Sequence, residues 1–195
     1  MPQLANIQQV SDGWIKKYVL TYNMENGTQH TYEVASRKSL EDYRAFLEAK
    51  GAAPRPDAVS IVGRTANDTL LMIREFRYPL NSWCIAFPAG LVEPGEDLTA
   101  CADRELREET GYGIVEGTRA RALPQAGYSS TGLTDEAVQI IVADIEPKED
   151  AHPEPNELIE TFELPVEGIA HFLDTNTTPI GTRAQLMLEA LSKRW

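Results

Sequence analysis

Long apolar runs and cysteine are both scarce in this sequence of 195 residues. No segment approaches the roughly 20 consecutive apolar residues of a membrane-spanning helix, which argues against membrane insertion. The N-terminal residues lack the basic-then-apolar order of a secretory signal. The only cysteines, Cys84 and Cys101, form neither a disulfide framework nor a metal-type pair, so we expect two buried free thiols in a cytoplasmic protein.

Basic residues are also in the minority. The chain has 18 lysines and arginines against 30 aspartates and glutamates, which gives a formal net charge of −12. A surface this acidic repels nucleic acid and anionic membranes, so we expect neither as a partner. A phosphate-bearing ligand would need local cations, from a metal ion or a few arginines, to overcome the same repulsion.

The N-terminal part of the chain is predicted to form a β-rich extension. Two runs rich in Tyr, Val and Thr flank Asn26-Gly27, a pair typical of a tight β-hairpin. Ser39 is placed to cap a short helix after them. The stretch 51–57 (GAAPRPD) has the composition of a connector. These signals predict two domains, over residues 1–52 and 53–195.

The predicted second domain mixes strands and helices. We expect strands over 58–64, 69–79, 83–87, 112–123, 136–145 and 158–165. We expect helices over 98–110, capped by Asp97, and over 166–174 and 182–195. In the last helix, the predicted core-facing residues are Leu186, Met187, Ala190 and Leu191. This order of elements predicts an α+β or α/β domain.

Three glutamates crowd the end of the predicted helix over 98–110. Glu105, Glu108 and Glu109 share one side of that helix, where like charges repel by about 0.2–0.5 kcal/mol per pair. The helix dipole also disfavours anions at this end. A divalent cation accounts for both features, because Mg²⁺ and Mn²⁺ prefer carboxylate oxygens. The alternative is a solvated acidic face on which Arg104 and Arg107 are the ion-pair partners.

The spacing around these acids is more specific than the acids themselves. Nine residues match the pattern G-x5-E-x7-R-E-U-x-E-E-x-G-U, where U is a bulky apolar residue: Gly90, Glu96, Arg104, Glu105, Leu106, Glu108, Glu109, Gly111 and Tyr112. Every fixed position agrees, and only Tyr112 is an unusual choice at the last U position. The chain therefore resembles the Nudix hydrolase family, which carries this signature.

The resemblance implies a fold and a reaction class. The implied fold is an α/β/α sandwich of the α+β class, with a mixed β-sheet between helices and the signature in a loop–helix–loop. The implied reaction is Mg²⁺-dependent hydrolysis, with Mn²⁺ as an alternative, of a nucleoside diphosphate linked to another moiety. Divalent ions suit this chemistry, because they lower the pKa of a bound water and neutralise phosphate charge.

The resemblance also implies residue roles, carried over position by position. The implied metal ligands are Glu105, Glu109, Glu108 and the backbone carbonyl of Ala89. Glu108 is alternatively a catalytic partner beside the ion. Glu96 would support the metal–water network, and Arg104 would orient the carboxylates.

The similarity extends beyond the signature. The segment 74–96 (REFRYPLNSWCIAFPAGLVEPGE) is similar to ADP-ribose pyrophosphatases and their sugar-nucleotide relatives, in which a β-rich N-terminal piece is exchanged within a homodimer. This implies that Arg77 binds substrate, that Glu157 is the catalytic base or a further metal contact, and that Trp14 stacks on the base from the partner subunit. The alternatives are a surface or dimer-contact role for Arg77 and a core or interface role for Trp14. Glu154 and Glu160 are the alternatives to Glu157.

The leading hypothesis is hydrolysis of ADP-ribose to AMP and ribose 5-phosphate. Two departures from the relatives fall where substrate identity is set: Thr131 replaces a proline before Gly132, and Ala86 replaces a glutamate. Another nucleotide sugar is therefore the second hypothesis. A catalytically silent Nudix-fold sensor that binds a nucleotide is the rival from another class. Hydrolysis of nucleoside triphosphates is a third.

Overall fold

A computed structural model describes residues 1–49, 55–118 and 120–192. Within those residues, no helix has the length and apolarity needed to cross a membrane. The chain divides into two compact units, Met1–Asp57 with Gln125–Val138, and Ala58–Pro124 with Gln139–Trp195. Residues 51–54 of the predicted connector lie outside the described part of the chain. The segment Gln125–Val138 joins the N-terminal unit, which sequence reasoning did not anticipate.

The N-terminal unit is built on a three-stranded antiparallel sheet. Its strands are β1 (Gln3–Gln9), β2 (Lys16–Asn23) and β3 (Gln29–Ser36), in the order β1-β2-β3. The β2–β3 hairpin confirms the Asn-Gly prediction, because Gly27 supplies the positive φ of 82° that the turn requires. Strand β1 was not predicted. Helix α1 (Leu40–Glu48) begins at Ser39, whose side chain accepts from the Asp42 N–H, as expected.

The second unit contains a larger sheet, in the order β11-β4-β5-β12. Those strands are β4 (Ala58–Arg64), β5 (Thr69–Arg77), β11 (Ala137–Pro147) and β12 (Ile159–Pro165). Short strands extend it: β6 (Ser82–Ala86) pairs with β5, β7 (Ala89–Leu91) with β4, and β8 (Tyr112–Ile114) and β9 (Arg121–Ala122) with β11. Strand β10 (Gly127–Tyr128) pairs with Ala137 and Val138, the first two residues of β11, which like β10 belong to the N-terminal unit.

Helices pack on this sheet through two separate clusters. Helix α2 (Leu98–Thr110) buries Leu106, Cys101 and Ala102 against strand residues such as Leu71 and Ile141. Helices α3 (Ile169–Thr175) and α4 (Thr182–Leu191) pack in a second cluster with Met72 and Phe87. Because Leu71 and Met72 are neighbours on β5, their side chains point to opposite faces of the sheet. The predicted α/β/α sandwich is confirmed.

Two local predictions were wrong in part. The run 112–123 is not one strand but β8 and β9, because a turn at residues 116–118 with Gly117 at φ 77° interrupts it. In α4 the buried positions are Ala184 and Leu188, whereas Leu186 is 59% exposed. Met187 and Leu191 do pack against the core as predicted. Ala190 is exposed as well, so the buried stripe is shifted toward the residues that pack on the sheet and on α3.

Candidate active site

The signature residues lie on α2 and the loop before it, and backbone caps set both ends of this helix. Asp97 accepts hydrogen bonds from the N–H groups of Thr99 (2.9 Å) and Ala100 (3.2 Å), which begins the helix. Gly111 ends it in the left-handed conformation, at φ 75°. The predicted loop–helix–loop arrangement therefore follows from two short-range signals in the sequence.

Arg104 gathers three of the signature carboxylates. Its guanidinium binds Glu96 in a bidentate pair, with Nε donating to Oε1 at 2.9 Å and Nη2 to Oε2 at 3.1 Å. Nη1 donates to Glu105 Oε1 at 2.8 Å and to Glu108 Oε2 at 3.1 Å. Nη2 also donates to the Leu91 carbonyl at 3.1 Å. A planar fork of five N–H donors is needed for such a set, which lysine does not offer.

The same guanidinium affects its two nearest acids differently. The Glu96 carboxyl has its pKa lowered to about 2, first by the hydrogen bonds from Arg104. The pKa of Glu105 is raised, because burial outweighs the favourable contact with Arg104. The Glu105 side chain is only 13% exposed. Glu96 is thus held as an anion, whereas Glu105 carries a charge that its surroundings only partly compensate.

The loop approaches the helix closely where Gly90 lies. A Cβ atom at Gly90 would overlap the carboxyl group of Glu105, so any other residue would displace this acid. The neighbouring Ala89 N–H donates to Glu109 Oε2 at 3.2 Å. Strand β7 holds both loop residues in register with β4. The signature glycine is therefore required for the proximity of backbone and carboxylate.

Glu109 is the most deeply buried acid of this group. It is 5% exposed, and its pKa is raised well above the ordinary value by burial, with the Ala89 amide opposing the shift. The charges of Glu105, Glu75 and Glu157 raise its pKa further. An ionised carboxylate at this place is unfavourable unless a cation accompanies it.

Glu157 and Arg77 both lie in the second unit. Glu157 is in the loop before β12, where its Oε2 accepts from the Glu154 N–H at 3.0 Å, and its charge acts on Glu105 and Glu109. Arg77, at the end of β5, is 47% exposed. Trp14 belongs to the N-terminal unit, and its side chain is 72% exposed.

Sequence reasoning missed Glu75. This β5 residue is coupled electrostatically to both Glu109 and Glu157, and its side chain is 12% exposed. One available signal was the alternation of REFR, which puts Glu75 and Arg77 on the same face of a strand.

Comparison with known proteins agrees with this geometry. A family model, described as the NUDIX domain, matches residues 54–181. The chain belongs to the Nudix hydrolase family. ADP-sugar pyrophosphatase of Mus musculus is 30% identical over 192 residues, which cover 93% of this chain and 79% of that protein. ADP-ribose pyrophosphatase of Saccharomyces cerevisiae is 29% identical over 175 residues, which cover 83% and 69%.

A solved structure confirms the Nudix fold. The crystal structure of an ADP compounds hydrolase matches with a TM-score of 0.73 at 22% identity, covering 100% of this chain and 93% of that one. The predicted family, fold and hydrolase class are therefore confirmed.

The Nudix residues present suit a divalent cation. Over the described ranges, no three His, Cys, Asp or Glu side chains are arranged to close around one ion. Oxygens of Glu96, Glu105 and Glu108 accept hydrogen bonds from Arg104 instead. The donor set nevertheless fits: hard carboxylate oxygens, two of them on acids whose pKa is raised by burial. A divalent ion would supply the positive charge that Glu105 and Glu109 lack.

Proposed function

We propose that this Nudix hydrolase cleaves the diphosphate of an ADP-sugar, with ADP-ribose as the first candidate and Mg²⁺ as the cofactor. The observation that carries the proposal is the buried, under-compensated pair Glu105 and Glu109 beside the Gly90 backbone. The names of the relatives from mouse and yeast support the substrate class. The products from ADP-ribose are AMP and ribose 5-phosphate.

The chain's own residues divide the work as follows. Glu105, Glu109, Glu108 and the Ala89 carbonyl would hold the ion. When bound, it supplies positive charge to the diphosphate and acidifies a water molecule. Glu157 accepts a proton from the attacking water, whose oxygen joins phosphorus as the bridging P–O bond breaks.

Other residues bind and orient. Arg77 binds a phosphate oxygen, for which a guanidinium fork is suited. Arg104 and Glu96 keep the signature carboxylates in place through the bidentate pair. Trp14, exposed on the N-terminal unit, stacks on the base of a nucleotide held by a partner subunit.

A substrate panel tests the function. Purified protein is incubated with ADP-ribose, other nucleotide sugars and a dGTP analogue, with Mg²⁺, with Mn²⁺ or with EDTA, and the nucleoside monophosphate is quantified. We expect metal-dependent release of AMP, fastest from ADP-ribose. Binding of ADP-ribose without turnover would instead favour the catalytically silent sensor. Faster hydrolysis of another nucleotide sugar would be consistent with Thr131 and Ala86, the two departures from the relatives.

A homodimer formed through the N-terminal unit is part of the proposal. This unit exposes Val10 (53%), Trp14 (72%) and Ile15 (48%), and large apolar side chains exposed together favour an interface. We expect the mass of two chains in sedimentation equilibrium, and dissociation in the Val10→Asp/Ile15→Asp double variant. Leu186→Asp, at an exposed position of α4, is the matched control and should remain dimeric. A monomeric wild-type protein would contradict this part of the proposal.

The cytoplasm is the proposed location. Both thiols, Cys84 and Cys101, are free and buried, which suits a reducing compartment.

A further inference from the structure

Strand β5 carries two acid–arginine pairs on its opposite faces. Glu75 and Arg77 are two positions apart and share one face. Arg74 lies on the other face, where it pairs with Glu160 across the strands at 2.7 Å and packs 4.7 Å from the Trp83 ring. The two pairs have the same charges and similar distances. They differ in what surrounds them.

The Glu75 pair lies at the acidic cluster. Glu75 Oε2 is 2.7 Å from Arg77 Nη2, an ion pair whose angles fall outside those of a hydrogen bond, and this oxygen is fully enclosed. The Glu75 side chain is 12% exposed, whereas its counterpart Glu160 is 54% exposed. The Glu75 charge also raises the pKa of Glu109, so the two carboxyl groups lie within electrostatic reach of each other.

A carboxylate at position 75 is unfavourable for folding alone. It adds a fourth negative charge to Glu105, Glu109 and Glu157, and burial raises its own pKa. An uncharged side chain of the same shape would pack in the same space without that electrostatic penalty. An explanation for the charge must therefore come from what Glu75 does to its partner.

Arg77 is the partner on which Glu75 acts. The Arg77 side chain is 47% exposed, so its guanidinium, which has five N–H donors, is accessible to a ligand. A long exposed arginine samples many rotamers, and a fixed anion two positions earlier restricts them to those that follow the acidic face. Restriction before binding lowers the entropic cost of gripping a phosphate.

We propose that Glu75 is a positioning residue that holds Arg77 over the acidic cluster, where Arg77 grips a phosphate of the diphosphate substrate. This rests on the proposed function, since it assumes a diphosphate at the cluster. Glu75 contacts neither substrate nor ion in this assignment. Its effect on binding passes entirely through Arg77.

A double-mutant cycle tests the proposal. We expect Glu75→Gln to raise the KM for ADP-ribose about 10-fold with kcat within about twofold, and Arg77→Ala to raise KM further. In the Arg77→Ala background, Glu75→Gln should change KM by less than about twofold, because the residue through which it acts is gone. Additive effects of the two substitutions would overturn the proposal.

Two controls separate positioning from other roles. Arg74→Gln breaks the matched pair on the opposite face of the same strand and should leave KM unchanged. Mn²⁺ binding, followed by electron paramagnetic resonance without substrate, should be the same in wild type and Glu75→Gln. A tenfold loss of Mn²⁺ affinity in Glu75→Gln would show that Glu75 acts on the ion and would overturn the assignment.

The experiment also distinguishes this inference from the proposed function. If the wild-type protein fails to hydrolyse ADP-ribose, the function fails, and the same cycle is run on calorimetric binding of ADP-ribose. Glu75→Gln should then raise the Kd for ADP-ribose about 10-fold when Arg77 is present, and not in the Arg77→Ala variant. An unchanged Kd, or no binding to the wild type, would overturn the inference.

Discussion

The acidic cluster has two halves that differ in how their charge is compensated. In one half, Glu96 and Glu108 share the guanidinium of Arg104, and the Glu96 pKa falls to about 2. In the other half, Glu109 is buried with a single amide donor, and its pKa is raised. Glu105 belongs to both halves, because it accepts a hydrogen bond from Arg104 and its charge raises the pKa of Glu109.

This difference separates structure from chemistry. A half whose charges are already paired contributes to stability and to the geometry of the site before any ion binds, even though Glu108 would also reach the ion. A half whose charges are buried and poorly paired costs free energy in the protein alone, and it is where a cation gains most. The halves should therefore respond differently to substitution, in activity on one side and in stability on the other.

The largest expected effect is on activity in the poorly paired half. Glu109→Gln should lower kcat/KM for the metal-dependent reaction by about 10³-fold or more. The reason is that a lost ligand weakens binding of the ion, and the ion stabilises the negative charge of the transition state. The midpoint of thermal unfolding should hold or rise, since a buried charge is removed. Steady-state AMP release and circular dichroism measure both. Retained activity would contradict the ligand assignment.

The paired half should show its loss in stability. Arg104→Gln leaves three carboxylates without their guanidinium, so we expect the free energy of unfolding to fall by about 3 kcal/mol. Urea denaturation measures the change. Arg107→Gln is the control on the same helix, because its partners Asp103 (32%) and Glu149 (46%) are more exposed than Glu96 (14%) and Glu105 (13%), and it should cost less than about 1 kcal/mol. Equal losses of unfolding free energy in the two variants would contradict the difference proposed between the halves.

The contact between loop and helix links the halves through Glu105. Gly90→Ala should lower kcat/KM about 100-fold, because the new Cβ overlaps the Glu105 carboxyl group and displaces it. Gly127→Ala is the matched control, since nothing lies within 4 Å of a Cβ built there. Full activity in Gly90→Ala would mean that the position of Glu105 does not matter for the reaction.

The smallest expected effect is a pH dependence of stability. The folded-state pKa of Glu96 is about 2, below the ordinary 4.5, so ionised Glu96 stabilises the fold above about pH 4.5 and loses that contribution as pH falls toward 2. Glu96→Gln should therefore be about 2 kcal/mol less stable than wild type at pH 6, with a smaller difference at pH 3. Urea titrations at both pH values measure it.

A pH-independent difference would show that the Glu96 charge is not what the variant loses. Glu149→Gln, at an exposed acid that pairs with Arg107, is the control and should follow wild type at both pH values.

Local signals in the chain were sufficient for many elements. The Asn-Gly turn, the Ser39 and Asp97 caps and the Gly111 stop are short-range features, and the helices and hairpin they predict are present. The exceptions depend on distant partners. Strand β1 forms because it pairs with β2, and the buried side of α4 is the one that packs on the sheet and on α3.

The sequence alone determined the family and the reaction class, because the spacing of glycine, arginine and glutamates in the signature is itself the chemical requirement. Only the tertiary structure decided how the acids differ. The burial and pairing of each carboxylate depend on the residues that pack around it. Glu96 and Glu109 are both glutamates of the signature, yet their pKa values are shifted in opposite directions. The position of Glu75 near them likewise depends on strand pairing, because the alternation of REFR predicts only that Glu75 and Arg77 share a face.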